Sequence, residues 1–399
     1  MSLLTPSREA HTHSAETMVP DQSRAERTTS YAVADFPVPT GREEEWRFTP
    51  LAPLAEVLRD APAPSALTWQ TRLPDGATVT DLAETDLDTH TLPKPGDRAA
   101  VVAAAYATDG RVLDIAADAD LGEPVRLTLT GADAQLAHGR FVIRAGRHAR
   151  ATIVLEHVGS AAYGQHVTVL AGDGCDLTVV TVQEWDADAI HLGQHDIVVG
   201  RDARVRHIAV TLGGRLVRVN TNTTYAGPGG SFEGLGVYFA DAGQHLEHRL
   251  FVDHEAPHCR SNVEYKGALQ GADAHTVWVG DVLIRASAEG TDTYELNRNL
   301  LLTDGARADS VPNLEIETGE IAGAGHASAT GRFDDEQLFY LMARGIPEEE
   351  ARRLVVRGFF ASVVGRIGVP EVQDRLMAAI DAELAATPDA APADAQDAR

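Results

Sequence analysis

The sequence predicts a mainly β protein, a parallel β-helix core between helical segments at both ends. Three observations carry that reading. From about residue 110 to 330 the chain runs as short β-type stretches punctuated by Gly, Asp and Asn. Similar turns recur there at steps of 26, 28 and 27 residues. The flanking segments instead space apolar residues three and four apart, which is the helical period.

Residues 1–30 are polar, carry no hydrophobic period and read as a tail; His11 and His13 fall there without further ligands. Residues 31–108 read as an N-terminal helical domain. Thr49-Pro50 opens a helical pattern over 51–59, with Leu51, Leu54, Ala55 and Leu58 on one face. A second helix is expected over 97–107, ending before Asp109-Gly110.

The core spans 109–331. Its strand-like runs include 125–129, 141–143, 152–155, 177–182, 205–212 and 237–239, rich in Val, Ile, Leu and Thr. The recurring turns are led by Gly146, Gly172, Gly200 and Gly227, with out-of-register copies at 270–274 and 303–307. One such unit cannot bury its own apolar face, whereas stacked units share one continuous core. A β-sandwich with regular loops is the alternative. Asp173-Gly174 and Asp304-Gly305 would serve it as hairpin turns.

Residues 332–385 are helical again. Asp334 is the expected N-cap of a helix over 335–344 that stops at Gly345. Pro347 opens the next helix, with Glu348, Glu349 and Glu350 in its first turn. Its apolar stripe reads Ala351, Leu354, Val355, Gly358, Phe359, Ser362 and Val363. Phe359 and Phe360 are adjacent and point apart, so either one faces a partner or both are buried. A third helix restarts at Pro370 with Val372, Leu376, Ala379 and Ile380 on one face, and 386–399 reads as a second tail.

Composition narrows the function. Thirty-four basic against 59 acidic residues leave a net charge of −25, the wrong sign for neutralising nucleic-acid phosphates. No run approaches the roughly 20 apolar residues of a membrane span, and no signal-peptide pattern opens the chain. A cytoplasmic protein without membrane or nucleic-acid partners is expected. The two cysteines, Cys175 and Cys259, cannot build a disulfide framework or hold a cluster alone. They read as inert small residues.

The densest histidine group is His245, His248, His254 and His258 beside Cys259. A metal-dependent enzyme would need three or four of these to converge. The acidic pairs Asp253/Glu255, Glu315/Glu317 and Asp334/Asp335 would serve a β-helical carbohydrate-active enzyme. No Gly-x-Ser-x-Gly elbow is present, and 323–328 lacks both the third dinucleotide glycine and the P-loop Gly-Lys.

Four separated motifs point elsewhere. They are GREEEWRFTPL at 41–51, DHEAPHCRSNVEYKGAL at 253–269, NRNLLLTDGARADSVPNLEIE at 297–317, and HASATGR at 326–332 with LFYLMARGI at 338–346. Together the chain resembles the SufB/SufD family of iron–sulfur cluster assembly proteins over about residues 35–385. Its Trp46-Arg47-Phe48-Thr49-Pro50 start is similar to the SufD branch.

The resemblance implies a right-handed parallel β-helix and a non-catalytic scaffold of the SUF complex. It implies pairing with SufB through the β-helices, docking of the ATPase SufC on the C-terminal helices, and a possible homodimer when isolated. ATP-driven SufC dimerisation would twist the SufB interface, and sulfur would arrive through SufB. His326 is the implied cluster or metal ligand, with Asn313, Glu315 and His326 at the SufB interface. Tyr340, Arg344, Phe359 and Phe360 are the implied ATPase contacts. No catalytic or nucleotide-binding residue and no resident cofactor is implied, only a transient cluster or iron shared with SufB. Many relatives carry cysteine where Ala324 stands here, which leaves thiolate ligands to SufB.

Overall fold

The structure, a computed structural model, describes residues 26–85, 91–333 and 335–386. Most of both expected tails and the expected Asp334 cap lie outside the described residues. The elements open with β1 (Thr68–Arg72), β2 (Ala77–Asp81), α1 (Arg98–Tyr106) and β3 (Arg111–Ile115). The core continues with β4 (Val125–Ala145), β5 (Arg150–Ala171), β6 (Asp176–Trp185), β7 (Ile190–Val199), β8 (Arg204–Thr211), β9 (Leu216–Tyr225) and β10 (Ser231–Ala240). It ends with β11 (His245–His254), β12 (Arg260–Leu269), β13 (His275–Ile284), β14 (Asp292–Leu301), β15 (Arg307–Ile316) and β16 (Gly323–Arg332). Three helices follow: α2 (Asp335–Met342), α3 (Glu348–Val364) and α4 (Pro370–Ala386).

From β5 onward every named ladder is parallel and joins strands one rung apart. Even-numbered strands β6 to β16 form one wall and odd-numbered strands β7 to β15 the other. The long β5 bends round to belong to both. This is a parallel β-solenoid. The β-sandwich alternative fails because it requires antiparallel sheets.

The repeat has a physical cause at the corners. Asp118, His148, Gly174, Asp202, Gly229, His258 and Gly290 stack at one corner, all with positive φ. Gly243, Asp273 and Gly305 stack at the other, which explains why 270–274 and 303–307 look out of register. The turn-leading glycines answer a different need, close approach between rungs. A Cβ on Gly172 would stand 2.7 Å from the Ala145 oxygen, and one on Gly200 2.6 Å from the Ala171 oxygen.

From β5 to β13 most of both faces of the walls is buried. Inside, Leu177, Val179, Val205 and Phe232 meet Val169, Ile197, Val217 and Val252. Outside the even wall, Val180, Val182, Ile208, Val210, Val237 and Phe239 take α3 and α4 through Val356, Phe360, Val363, Leu376 and Ile380. Each such side chain contributes about 1.5–3 kcal/mol by leaving water. The expected third helix face is correct at Val372, Leu376 and Ile380. The expected α3 stripe is rotated. Ala351 and Val363 are buried, but so are Val356, Phe360 and Val364, while Leu354 is exposed.

The N-terminal segment lies over the odd wall, and it is less helical than its spacing predicts. Residues 51–59 form a 3-10 turn at Ala52–Leu54 and further turns. Leu54, Val57 and Leu58 are nevertheless buried with Trp46 and Leu192. The apolar spacing is genuine, but Pro53 lies inside the stretch and has no backbone N–H to continue an α-helical ladder. Strands β1 and β2 pair antiparallel with β4 and β3. Among the described residues of this segment only α1 is a full helix, with Asp97 as its N-cap accepting from the Ala100 amide at 2.9 Å.

Candidate functional site: the open end of the solenoid

The motifs sort by what their side chains touch. In the first, the Glu43 carboxylate accepts from the Thr40 and Gly41 amides, closing the turn before Trp46. The Arg218 guanidinium, 2% exposed, lies 3.9 Å over the Trp46 ring. Arg218 also donates to Asp97 at 3.0 Å, to Glu247 at 3.3 Å and to the Glu45 carbonyl at 3.2 Å. Thr49 Oγ1 donates to the other Glu247 oxygen at 2.7 Å. Burial alone would raise the Glu247 carboxyl, but His245, Arg218 and Arg249 hold it well below the usual carboxylate range. This motif is therefore a clamp that fastens the N-terminal segment to the odd wall.

In the second motif, Tyr265 is buried in the interior. Lys266 points the other way, donating to the Phe359 carbonyl at 2.9 Å and to Ser362 Oγ at 2.7 Å. Gly267 leaves room for Tyr238, since a Cβ there would meet that ring at 1.9 Å. The third motif ties the last rungs across the interior. Asn297 donates to Tyr238 at 2.9 Å, and Asn299 donates to Asn297 at 2.8 Å. Ser310, on the opposite wall, donates to Asn297 at 2.6 Å.

Beyond these rungs the solenoid is open. Among the described residues, strand β16 pairs only with β14, and β15 has no ladder partner beyond β13. Each presents an edge of backbone donors and acceptors. Between Gly323 and Gly331, β16 carries no proline, lysine or acidic residue, the usual guards of such an edge. His326 sits at its centre and is exposed. Ala324, two residues earlier, packs on the interior core. The 323–328 stretch is thus strand, not a phosphate loop.

Asn313 and Glu315 share this last rung but lie on β15, on the opposite face from Ala308 and Leu314. Asn313 donates to Asp281 at 2.6 Å. Directly under His326 in the ladder is Glu295. It is 1% exposed, and neither carboxylate oxygen has a hydrogen-bond partner. Burial, with Asp281 adding to it, pushes its carboxyl up to about 8. Sequence reading missed Glu295. Its one signal is the alternation Thr293, Glu295, Asn297 and Asn299, which looks the same on an outer face.

The competing chemistries are not assembled. Among the described residues no group of three His, Cys, Asp or Glu side chains could hold a metal. His248 stacks on Tyr238 and His254 on Tyr225, His245 meets His275 at 3.1 Å, and His258 is an exposed corner residue. Burial lowers His248 to about 3 and His254 to about 4. Cys175 and Cys259 are buried at corners, and burial pushes the Cys175 thiol up to about 11. Trp46, Trp185 and Trp278 are buried, and Trp69 is half-buried against the core.

The C-terminal candidates divide. Tyr340 and Arg344 are exposed, the guanidinium 3.6 Å over the ring. Phe359 is half-buried under Lys266. Phe360 does not face outward, because α3 turns it into the core against the even wall. The exposed apolar side chains here are instead Phe339, Tyr340, Met342 and Leu354. No described helix is long and apolar enough to cross a membrane.

Comparison with known proteins agrees with this architecture. Residues 127–359 match the family model described as SUF system FeS cluster assembly, SufBD core domain. A Mycobacterium bovis iron–sulfur cluster assembly SufBD family protein is 50% identical over 382 residues, covering 92% of this chain and 94% of the relative. A Mycobacterium leprae protein of the same description is 50% identical over 367 residues, covering 90% and 93%. The iron–sulfur cluster assembly protein SufD of Escherichia coli is 24% identical over 261 residues, covering 64% and 61%. The solenoid, its motifs and these matches agree, and the chain belongs to the SufBD family of iron–sulfur cluster assembly proteins.

Proposed function

We propose that this chain is a non-catalytic scaffold subunit of the SUF system, acting in the cytoplasm with SufB and the ATPase SufC. The observation that carries the reading is the unguarded β16 edge with His326 at its centre. A solenoid of the same family, SufB, can add its own terminal strands to that edge. His326 then supplies an imidazole to a cluster built between the chains. The thiolates come from SufB, because both cysteines here are buried and Ala324 offers none. The nascent cluster is cargo, not a resident cofactor. SufC docks on the apolar surface of Phe339, Tyr340, Met342 and Leu354, beside Arg344.

The test is co-expression with SufB and SufC. His326→Ala should leave the three-chain complex intact but lower cluster assembly in cells. Deleting 332–399 should abolish co-purification of the ATPase. A purified His326→Ala complex that assembles cluster as well as wild type would remove the ligand role. Undiminished SufC in the truncated complex would remove the docking site.

A further inference from the structure

The unpaired carboxyl of Glu295 carries an inference of its own. Its neighbours in the ladder column are Val263 on one side and His326 on the other. Valine offers it no hydrogen bond. Across the interior stand Trp278 and Gly280. A Cβ on Gly280 would lie 2.4 Å from the Trp278 ring and 2.8 Å from Glu295 Oε1, so the glycine keeps space beside the carboxyl. The Trp278 indole N–H has no partner either, so it does not satisfy the glutamate. What remains beside Glu295 in its column is His326, on the last strand and open to solvent.

We propose that Glu295 and His326 form a two-donor half-site for one divalent first-row transition cation, ferrous iron in this assembly family, at the open end of the solenoid. The proposal rests on the reading of His326 as a ligand and adds the second donor from the same chain. Adjacent rungs lie about 4.8 Å apart. Nitrogen and oxygen donors about 2.0–2.2 Å from a shared ion stand roughly 3–3.5 Å from each other, which side chains on neighbouring rungs can reach. An imidazole with a carboxylate suits ferrous, manganous or cobaltous ions. Two donors leave positions for solvent and for the partner chain.

The test uses the full-length chain without an affinity tag, titrated anaerobically with Co(II) and followed by its d–d absorption. Wild type should bind one ion through this site. Glu295→Gln and His326→Ala should each weaken it by about tenfold or more. The double variant, which keeps neither donor, should lose binding at this site altogether. Circular dichroism melts establish that Glu295→Gln is folded. If Glu295→Gln binds as wild type does while His326→Ala loses the ion, Glu295 is not a ligand and His326 stands. If only Glu295→Gln loses the ion, the shared site is wrong. Failure of wild type to bind Co(II) up to about 1 mM overturns the half-site while leaving a His326 role within the complex open to its separate test.

Discussion

Replacing Arg218 by Met tests the clamp between the N-terminal segment and the solenoid. Arg218 is 2% exposed and bridges Asp97 and Glu247. Removing one partner of a buried ion pair costs about 3–5 kcal/mol, mostly for the charge left behind. Here the lower end applies. Glu247 keeps Arg249, His245 and Thr49, and Asp97 keeps the Asn220 amide. The lost stacking on Trp46 adds about 1 kcal/mol, giving roughly 4 kcal/mol in all. Urea unfolding measures the loss. Trypsin digestion locates it, since residues 26–60 should become cleavable before the solenoid. The pH dependence has a definite sign. The Glu247 carboxyl is held below its unfolded value of 4.5, so its contribution is present above that pH and fades as pH falls. The gap between wild type and variant should therefore narrow in acid. A loss under about 1 kcal/mol with unchanged digestion would show that Arg218 is not what fastens the segment.

Two further outcomes follow from buried groups. Glu295→Gln should stabilise the chain, increasingly so as pH rises from about 4.5 to about 8. A carboxyl whose folded value is raised loses stability over that window, whereas an amide does not. The difference should reach about 5 kcal/mol in thermal or urea unfolding at pH 8.5, and a pH-independent difference would contradict the burial. Gly267→Ala should destabilise by about 1–3 kcal/mol or more through overpacking against Tyr238. Gly267→Ala alone matching wild type would mean that the ring moves freely. If the clash is the cause, Tyr238→Leu should relieve much of it.

The solenoid was legible because its corners impose a recurring chemistry. Each rung must turn through a left-handed residue, and Asp, His and Gly occupy those places. Glycine also recurs where successive rungs approach. The face of α3 was not legible. Gly358 and Ser362 extend an apparent stripe, yet the flat sheet selects Val356, Phe360 and Val364. The polar interior was hidden for another reason. Strand β14 does alternate between exposed and buried residues, but both of its faces carry polar side chains, so the alternation does not say which face points inward. The surroundings of Glu295 and Asn297 come from rungs about 30 residues away. The motifs were visible as patterns, but only the fold separates the clamp at Trp46 and Arg218 from the presented imidazole at His326.

The two ends of the solenoid are unlike, and that sets a limit on stoichiometry. At the first end, β1 and β2 are five-residue antiparallel strands carrying Arg72 and Asp81, a poor template for further pairing. At the last end lies the ten-residue parallel edge of β16, which carries no proline, lysine or acidic residue between Gly323 and Gly331. A rod sticky at both ends polymerises head to tail; a rod sticky at one end stops at two. When two such rods meet tip to tip, each tip consumes the other, so the joint closes on itself like a dimer and cannot propagate into a fibre.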